Sequence, residues 1–198
     1  GSDGKGDTNY SIEGEGDCYD EYPLMMPFQN LFTNYSILLS EGWNLISLPL
    51  IQSNESIDKI LKTIDGKWDH IRKFDPLSAN PWKSNATFKP NVLNDFNTIN
   101  HKQGFWINIT EPDVWLFIRG YWPTNTPIQL YAGWNLVGFP TLGFESVGNA
   151  LWGTGADKVM VCDTSEPYHI KEAGPTYFMR PGEGYWVHVV ADATWVID

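Results

Sequence analysis

The sequence predicts a mainly β chain, built as two tandem copies of a small sandwich- or barrel-like domain with one short helix per copy. Three observations predict it. Four sequence blocks recur in the same order in the two halves. The recurring blocks are short runs rich in Trp, Ile, Val and Phe, ended by Pro or turn residues, which is strand grammar. Aromatic residues make up 15% of the chain, including ten Trp, and large aromatics favour β-structure and fill the cores of small domains.

The first block, Gly42-Trp43-Asn44-Leu45-Ile46-Ser47-Leu48-Pro49, matches Gly133-Trp134-Asn135-Leu136-Val137-Gly138-Phe139-Pro140 and reads as a strand stopped by proline. Ile57, Ile60, Leu61 and Ile64 follow at helical spacing, with Ser53, Asn54 or Ser56 to cap the helix and Gly66 to end it. The second copy keeps a weaker version in Val147, Ala150 and Leu151 after Ser146. His70–Phe74 reads as a strand, and Trp82 to Phe88 as its hairpin partner across turns at Asp75-Pro76 and Asn80-Pro81. The matching block in the second copy is Asp157–Asp163.

Gly104-Phe105-Trp106-Ile107 matches Gly184-Tyr185-Trp186-Val187, and Val114-Trp115-Leu116-Phe117 matches Thr194-Trp195-Val196-Ile197. These two blocks are expected to pair as a hairpin in each copy, around Glu111-Pro112-Asp113 and Ala191-Asp192-Ala193. Each repeat then holds about five strands. The divisions are an acidic N-terminal arm at 1–35, repeat 1 at 36–122 and repeat 2 at 127–198, joined near Gly120–Thr126.

The formal net charge is −11, which gives the chain no electrostatic attraction to nucleic acid or anionic lipid. No apolar run reaches the ~20 residues of a membrane helix. Five Asn-X-Ser/Thr tripeptides, at Asn9, Asn34, Asn54, Asn85 and Asn108, suit an exported and glycosylated protein. The two cysteines, Cys18 and Cys162, form either one bridge or a pair of free thiols, exposed at Cys18 and buried at Cys162.

The block pattern resembles a repeat of large secreted archaeal and bacterial surface proteins, a family that implies no established chemistry. Gly6-Asp7-Thr8-Asn9-Tyr10-Ser11-Ile12, with Asp20-Glu21-Tyr22-Pro23-Leu24-Met25-Met26-Pro27, is similar to the closing segment of NosD-like right-handed β-helix surface proteins. Together the two resemblances imply a piece of a larger exported protein of archaeal type. The copper chemistry tied to the NosD name does not carry over, because no Met/His/Cys ligand set accompanies the tail. Met25-Met26 reads as apolar docking.

Chemistry-bearing motifs are scarce. His70, His101, His169 and His188 form no metal-ligand pattern, and no nucleophile elbow, P-loop or dinucleotide fingerprint occurs. Asp69/Asp157 and Asp75/Asp163 recur in both copies at the two ends of one strand, which points to turns and caps. Asp3, Asp7 and Asn9, with Glu13 or Glu15 as the closing acid, space oxygen ligands like half of a calcium loop; a solvated acidic linker is the alternative. Calcium is the one ion the sequence suggests, and no cofactor motif is present.

Trp43/Trp134, Trp106/Trp186 and Trp115/Trp195 recur and are expected to build the core, whereas Trp68, Trp82, Trp122 and Trp152 do not recur and are the candidate ligand contacts. The expectation is a non-catalytic surface module acting as spacer, adhesion or assembly unit. Its partners would be other surface proteins or copies of itself. A carbohydrate-binding module, using exposed Trp and Tyr, is the alternative. A filament subunit joined through its acidic arm is a further one.

Overall fold

The computed structural model describes residues 32–198 and, separately, the short antiparallel pair β1 (Tyr10–Ser11) and β2 (Tyr19–Asp20). The expected calcium ligands Asp3, Asp7, Asn9, Glu13 and Glu15, the sequon at Asn9, and Cys18 lie outside the described residues.

Repeat 1 runs β3 (Phe32–Leu39), β4 (Gly42–Ser47), α1 (Ile57–Ile60), β5 (Trp68–Phe74), β6 (Trp82–Ala86), β7 (Gly104–Ile109) and β8 (Val114–Tyr121). Repeat 2 runs β9 (Thr126–Leu130), β10 (Gly133–Gly138), β11 (Glu145–Ser146), α2 (Val147–Ala150), β12 (Ala156–Cys162), β13 (Ile170–Glu172), β14 (Phe178–Met179), β15 (Gly184–Val189) and β16 (Ala193–Ile197). Each repeat is a two-layer β-sandwich. A four-stranded antiparallel sheet, β4-β7-β5-β6 or β10-β15-β12-β13, packs beneath a two-stranded one, β3-β8 or β9-β16. Among the described residues, no sheet closes into a barrel.

The predicted hairpin between the last two blocks does not form. β7 pairs with β4 and β5, while β8 pairs with β3, so the Glu111–Asp113 turn carries the chain from one layer to the other. β15 and β16 do the same in repeat 2. A short turn between two strands fixes their proximity but not their pairing. Here both strands have apolar inner faces that a shared sheet would have turned the same way.

The motif residues have local reasons. Gly42 and Gly133 adopt φ of +89° and +99°, a left-handed turn that a Cβ would strain. Asn44 and Asn135 close that turn: Asn44 Oδ1 accepts from the Ser40 N–H at 3.0 Å, and Asn135 Oδ1 from the Tyr131 N–H at 2.9 Å. At the same end of the sheet, Asp69 and Asp157 sit at β-bulges in β5 and β12. Asp69 accepts from Asn108 Nδ2 at 2.7 Å, and Asp157 meets His188 Nδ1 at 2.6 Å. The same bond is made with Asn in one copy and His in the other, so it fastens the bulge to the neighbouring strand. Asp75 and Asp163 each accept from the N–H two residues on, at Leu77 and Ser165.

One core fills each sandwich. Leu39, Leu116 and Ile118 meet Ile46, Ile71, Phe105 and Ile107 in repeat 1, with Ile57, Ile60, Leu61 and Ile64 of the predicted helical segment closing the side. Ile128, Leu130 and Trp195 meet Val137, Val159, Tyr185 and Val187 in repeat 2. Trp195 Nε1 donates to the Ala150 carbonyl at 2.6 Å, which satisfies a buried donor.

A third apolar cluster lies between the repeats, around Leu45, Leu136 and Trp186. The outer faces of the two four-stranded sheets pack together here as a pseudo-two-fold pair. Ile46 bridges Glu183, and its counterpart Val137 bridges Gln103, the counterpart of Glu183. Likewise, Ser47 N–H donates to the Gly182 carbonyl and Gly138 N–H to the Lys102 carbonyl, at 2.9 and 3.0 Å. The chain thus contains its own isologous dimer.

Candidate aromatic cleft between the repeats

β-sheet pleating decides which side chains reach the inter-repeat face. In β4, Ile46 points into the sandwich, so Trp43, Leu45 and Ser47 point out of it. In β7, Phe105 and Ile107 point in and Trp106 points out. Arg72 and Phe74 of β5 share that outer face, next to Trp106 and Trp82 in the strand registers. Repeat 2 presents the counterparts: Trp134, Leu136, Trp186, Met160, Cys162 and Ile170.

The two halves of this interface are filled differently. Trp186 is buried because repeat 1 supplies bulk: Phe74 and Trp82 meet its ring edge-on, at centroid distances of 5.0 and 5.5 Å. Trp106, its counterpart, stands opposite Cys162 and Ile170, which occupy the positions equivalent to Phe74 and Trp82. Cys for Phe and Ile for Trp remove volume on one side of the axis. An open cleft of about 440 Å³ lies there, with Trp43, Trp82 and Trp106 on the repeat 1 side and Tyr168, His169, Ile170 and Trp186 on the other.

Arg72 also lines the cleft, its guanidinium 5.4 Å from the centre of the Trp43 ring. Tyr168 is 89% exposed at the rim. Tyr168 and His169 are consecutive non-glycine residues with left-handed φ, 70° and 58°. Their loop is fastened by Asp163, which accepts from Lys171 Nζ at 2.6 Å and from Ser165 Oγ at 2.6 Å. Those donors, Lys171 first, hold the Asp163 carboxyl well below the ordinary carboxylate range.

Of the four candidate tryptophans, only Trp82 lies in this cleft. Trp68 is buried in the core of repeat 1, with no face left for a ligand. Trp122 is part-exposed between β8 and β9. Trp152 is 88% exposed beside a separate hollow lined by Gly148, Gly153 and Gly155. The expectation that recurring tryptophans form the core needs correction. Trp106, Trp134 and Trp186 belong to the inter-repeat cluster, Trp43 lines the cleft, and Trp115 is 48% exposed; only Trp195 is a sandwich-core residue.

Asn34 and Asn54 are exposed, whereas Asn85 Nδ2 is buried, donating to the Phe96 carbonyl and Asn97 Oδ1, with no room for a glycan on the folded chain. Asn108 is committed to Asp69. Cys162 is half-buried in the inter-repeat cluster, and burial pushes its thiol pKa up. Among the described residues, no three His, Cys, Asp or Glu side chains group to hold a metal, and no helix is long and apolar enough to cross a membrane.

Comparison of the chain with family models, with curated proteins and with solved structures returned no match.

Proposed function

We propose that this chain is a non-catalytic module of a larger extracellular surface protein, and that its inter-repeat cleft recognises a saccharide. The observation that carries this reading is the cleft itself: four indoles on sheet strands and a tyrosine around an open volume. The C–H face of a pyranose ring stacks on such aromatic surfaces, and its hydroxyls need only a few polar groups at the rim. Hydrolysis of a glycoside would require two carboxylates across the ligand, and no Asp or Glu lines this cleft. The exposed sequons at Asn34 and Asn54 fit an exported chain.

The test is a glycan array followed by titration of intrinsic tryptophan fluorescence. Wild-type protein is expected to bind and quench, and Trp106→Ala and Trp82→Ala to weaken binding at least tenfold with unchanged far-ultraviolet circular dichroism. A folded wild-type protein that binds no glycan ends the saccharide reading and leaves the spacer role.

A second reading, assembly with copies of itself, is favoured by the solvent face of β3-β8. Leu38 pairs with Trp115 there and Phe32 with Tyr121, with Phe117 between them, all exposed. The same face of repeat 2 carries Gln129 opposite Thr194. Sedimentation velocity checks this: self-association that Phe117→Ser weakens supports it, and a strict monomer at high concentration removes it.

A further inference from the structure

We propose that the cleft selects acidic saccharides, with Arg72 as the residue that binds the carboxylate of a hexuronate ring stacked on the tryptophans. This deepens the saccharide reading above and depends on it.

The argument starts from charge. The chain carries −11 overall, with 24 acids against 13 lysines and arginines. An arginine in such a chain has many carboxylates to choose from. Among the described residues, none is within ion-pair distance of Arg72. Its cross-strand neighbours are Ser84 on β6 and Trp106 on β7, and the residues facing it across the cleft are aromatic, imidazole or aliphatic. The wall of this acidic molecule that offers stacking surface therefore also carries a cation with no carboxylate partner among the described residues.

The geometry suits a carboxylate better than a neutral hydroxyl. Trp43 supports the guanidinium at 5.4 Å through its ring, and among the described residues no acceptor occupies its N–H fork. That fork binds a carboxylate with two parallel hydrogen bonds, and the apolar walls strengthen the interaction by excluding water. A hexuronate has both parts, an apolar ring face for Trp82 and Trp106 and a carboxylate on the ring's edge for Arg72. The Tyr168–His169 tip completes the site from the other repeat. Its strained backbone is held in place by the Asp163 anchor, so little ordering is left to occur on binding.

The experiment is calorimetric titration of the intact chain with oligogalacturonates, oligomannuronates and oligoglucuronates, each alongside its carboxyl-reduced counterpart, which keeps the ring stereochemistry and loses the charge. The expected result is at least tenfold tighter binding of one acidic series than of its reduced form, a gap that narrows as sodium chloride rises. Arg72→Met should close the gap and leave the weak stacking affinity; Arg72→Lys should restore part of it. Equal affinity of acidic and reduced oligomers for wild type, or a gap that survives in Arg72→Met, overturns the acidic selectivity and leaves saccharide recognition standing. Failure of wild type to bind any acidic or reduced oligomer overturns both. The wild-type comparison needs no variant, so it decides the matter even if a substitution disturbs folding.

Discussion

Gly104 lies so close to the main chain of Val137 that a Cβ on it would stand 2.6 Å from the Val137 carbonyl oxygen. Gly184 stands in the same relation to Ile46, at 2.7 Å. The glycine of the Gly-Phe/Tyr-Trp block is therefore a contact residue between repeats, because side-chain-free backbone is what lets the two sheets approach. Adding a methyl forces the sheets apart or bends a strand. Gly104→Ala and Gly184→Ala should each destabilise the fold by about 1–3 kcal/mol, the usual cost of overpacking. Urea unfolding followed by tryptophan fluorescence reads this out. A wild-type midpoint in both variants would mean that the sheets are not held at this separation.

The cleft is the volume left where repeat 2 has Ile170 and Cys162 in place of Trp82 and Phe74. Restoring the bulk should close it. Ile170→Trp is expected to abolish saccharide binding while leaving the thermal midpoint at or above the wild-type value, because the new indole has the shelf of Trp106 to pack on. Binding that persists with the indole in place would put the ligand elsewhere on the molecule.

Much of this was legible in the sequence, and the failures have physical reasons. The repeat, the Gly-Trp-Asn strand and the apolar face of Ile57, Ile60, Leu61 and Ile64 depend on local pattern, and all three hold in the structure. The cleft depends on pairing between halves of the chain, which local pattern does not encode. One signal was present: Trp43-Asn44-Leu45-Ile46-Ser47-Leu48 is apolar on both faces, and a strand with two apolar faces needs a cover on each. Leu136 packs with Leu45 on one face, and Leu39, Leu116 and Ile118 of β3 and β8 pack with Ile46 on the other; these are the two covers. Recurrence of Trp43 and Trp106 was compatible with core or interface, and only the symmetry of the packing separates the two.

His101 contributes a pH dependence of stability. Its side chain is partly buried beside the inter-repeat contact, and its Nδ1 atom is enclosed without a partner among the described residues. Burial, with Lys102 adding to it, lowers its pKa to about 4, against 6.5 for the free side chain. Between those values the unfolded chain binds a proton that the folded chain refuses. Stability is therefore fully present above pH 6.5 and falls as the pH drops towards 4. The loss should be roughly 1–2 kcal/mol, after allowing for solvent screening of a side chain that is not fully enclosed. Denaturant titrations at pH 7 and pH 4.5 measure it, and His101→Gln should remove that part of the slope.

Trp115 and Trp195 align in sequence yet face opposite ways, and the registers explain why. Leu116 pairs with Ile37 on β3, and Trp195 pairs with Ile128 on β9. Counting from the Gly-Trp-Asn turns, Ile37 and Ile128 are equivalent, so the structural counterpart of Trp195 is Leu116. The connection from β15 to β16 is one residue shorter than that from β7 to β8, and in a strand one residue changes the face. The two tryptophans should therefore respond very differently to truncation. Trp195→Ala empties a core site, breaks the bond to the Ala150 carbonyl and leaves Phe139 without its stacking partner, at an expected cost of about 3–5 kcal/mol. Trp115→Ala removes an exposed cross-strand contact with Leu38 and should cost no more than about 1 kcal/mol. Equilibrium unfolding of the two variants side by side tests the register, since equal costs would return both tryptophans to the same face.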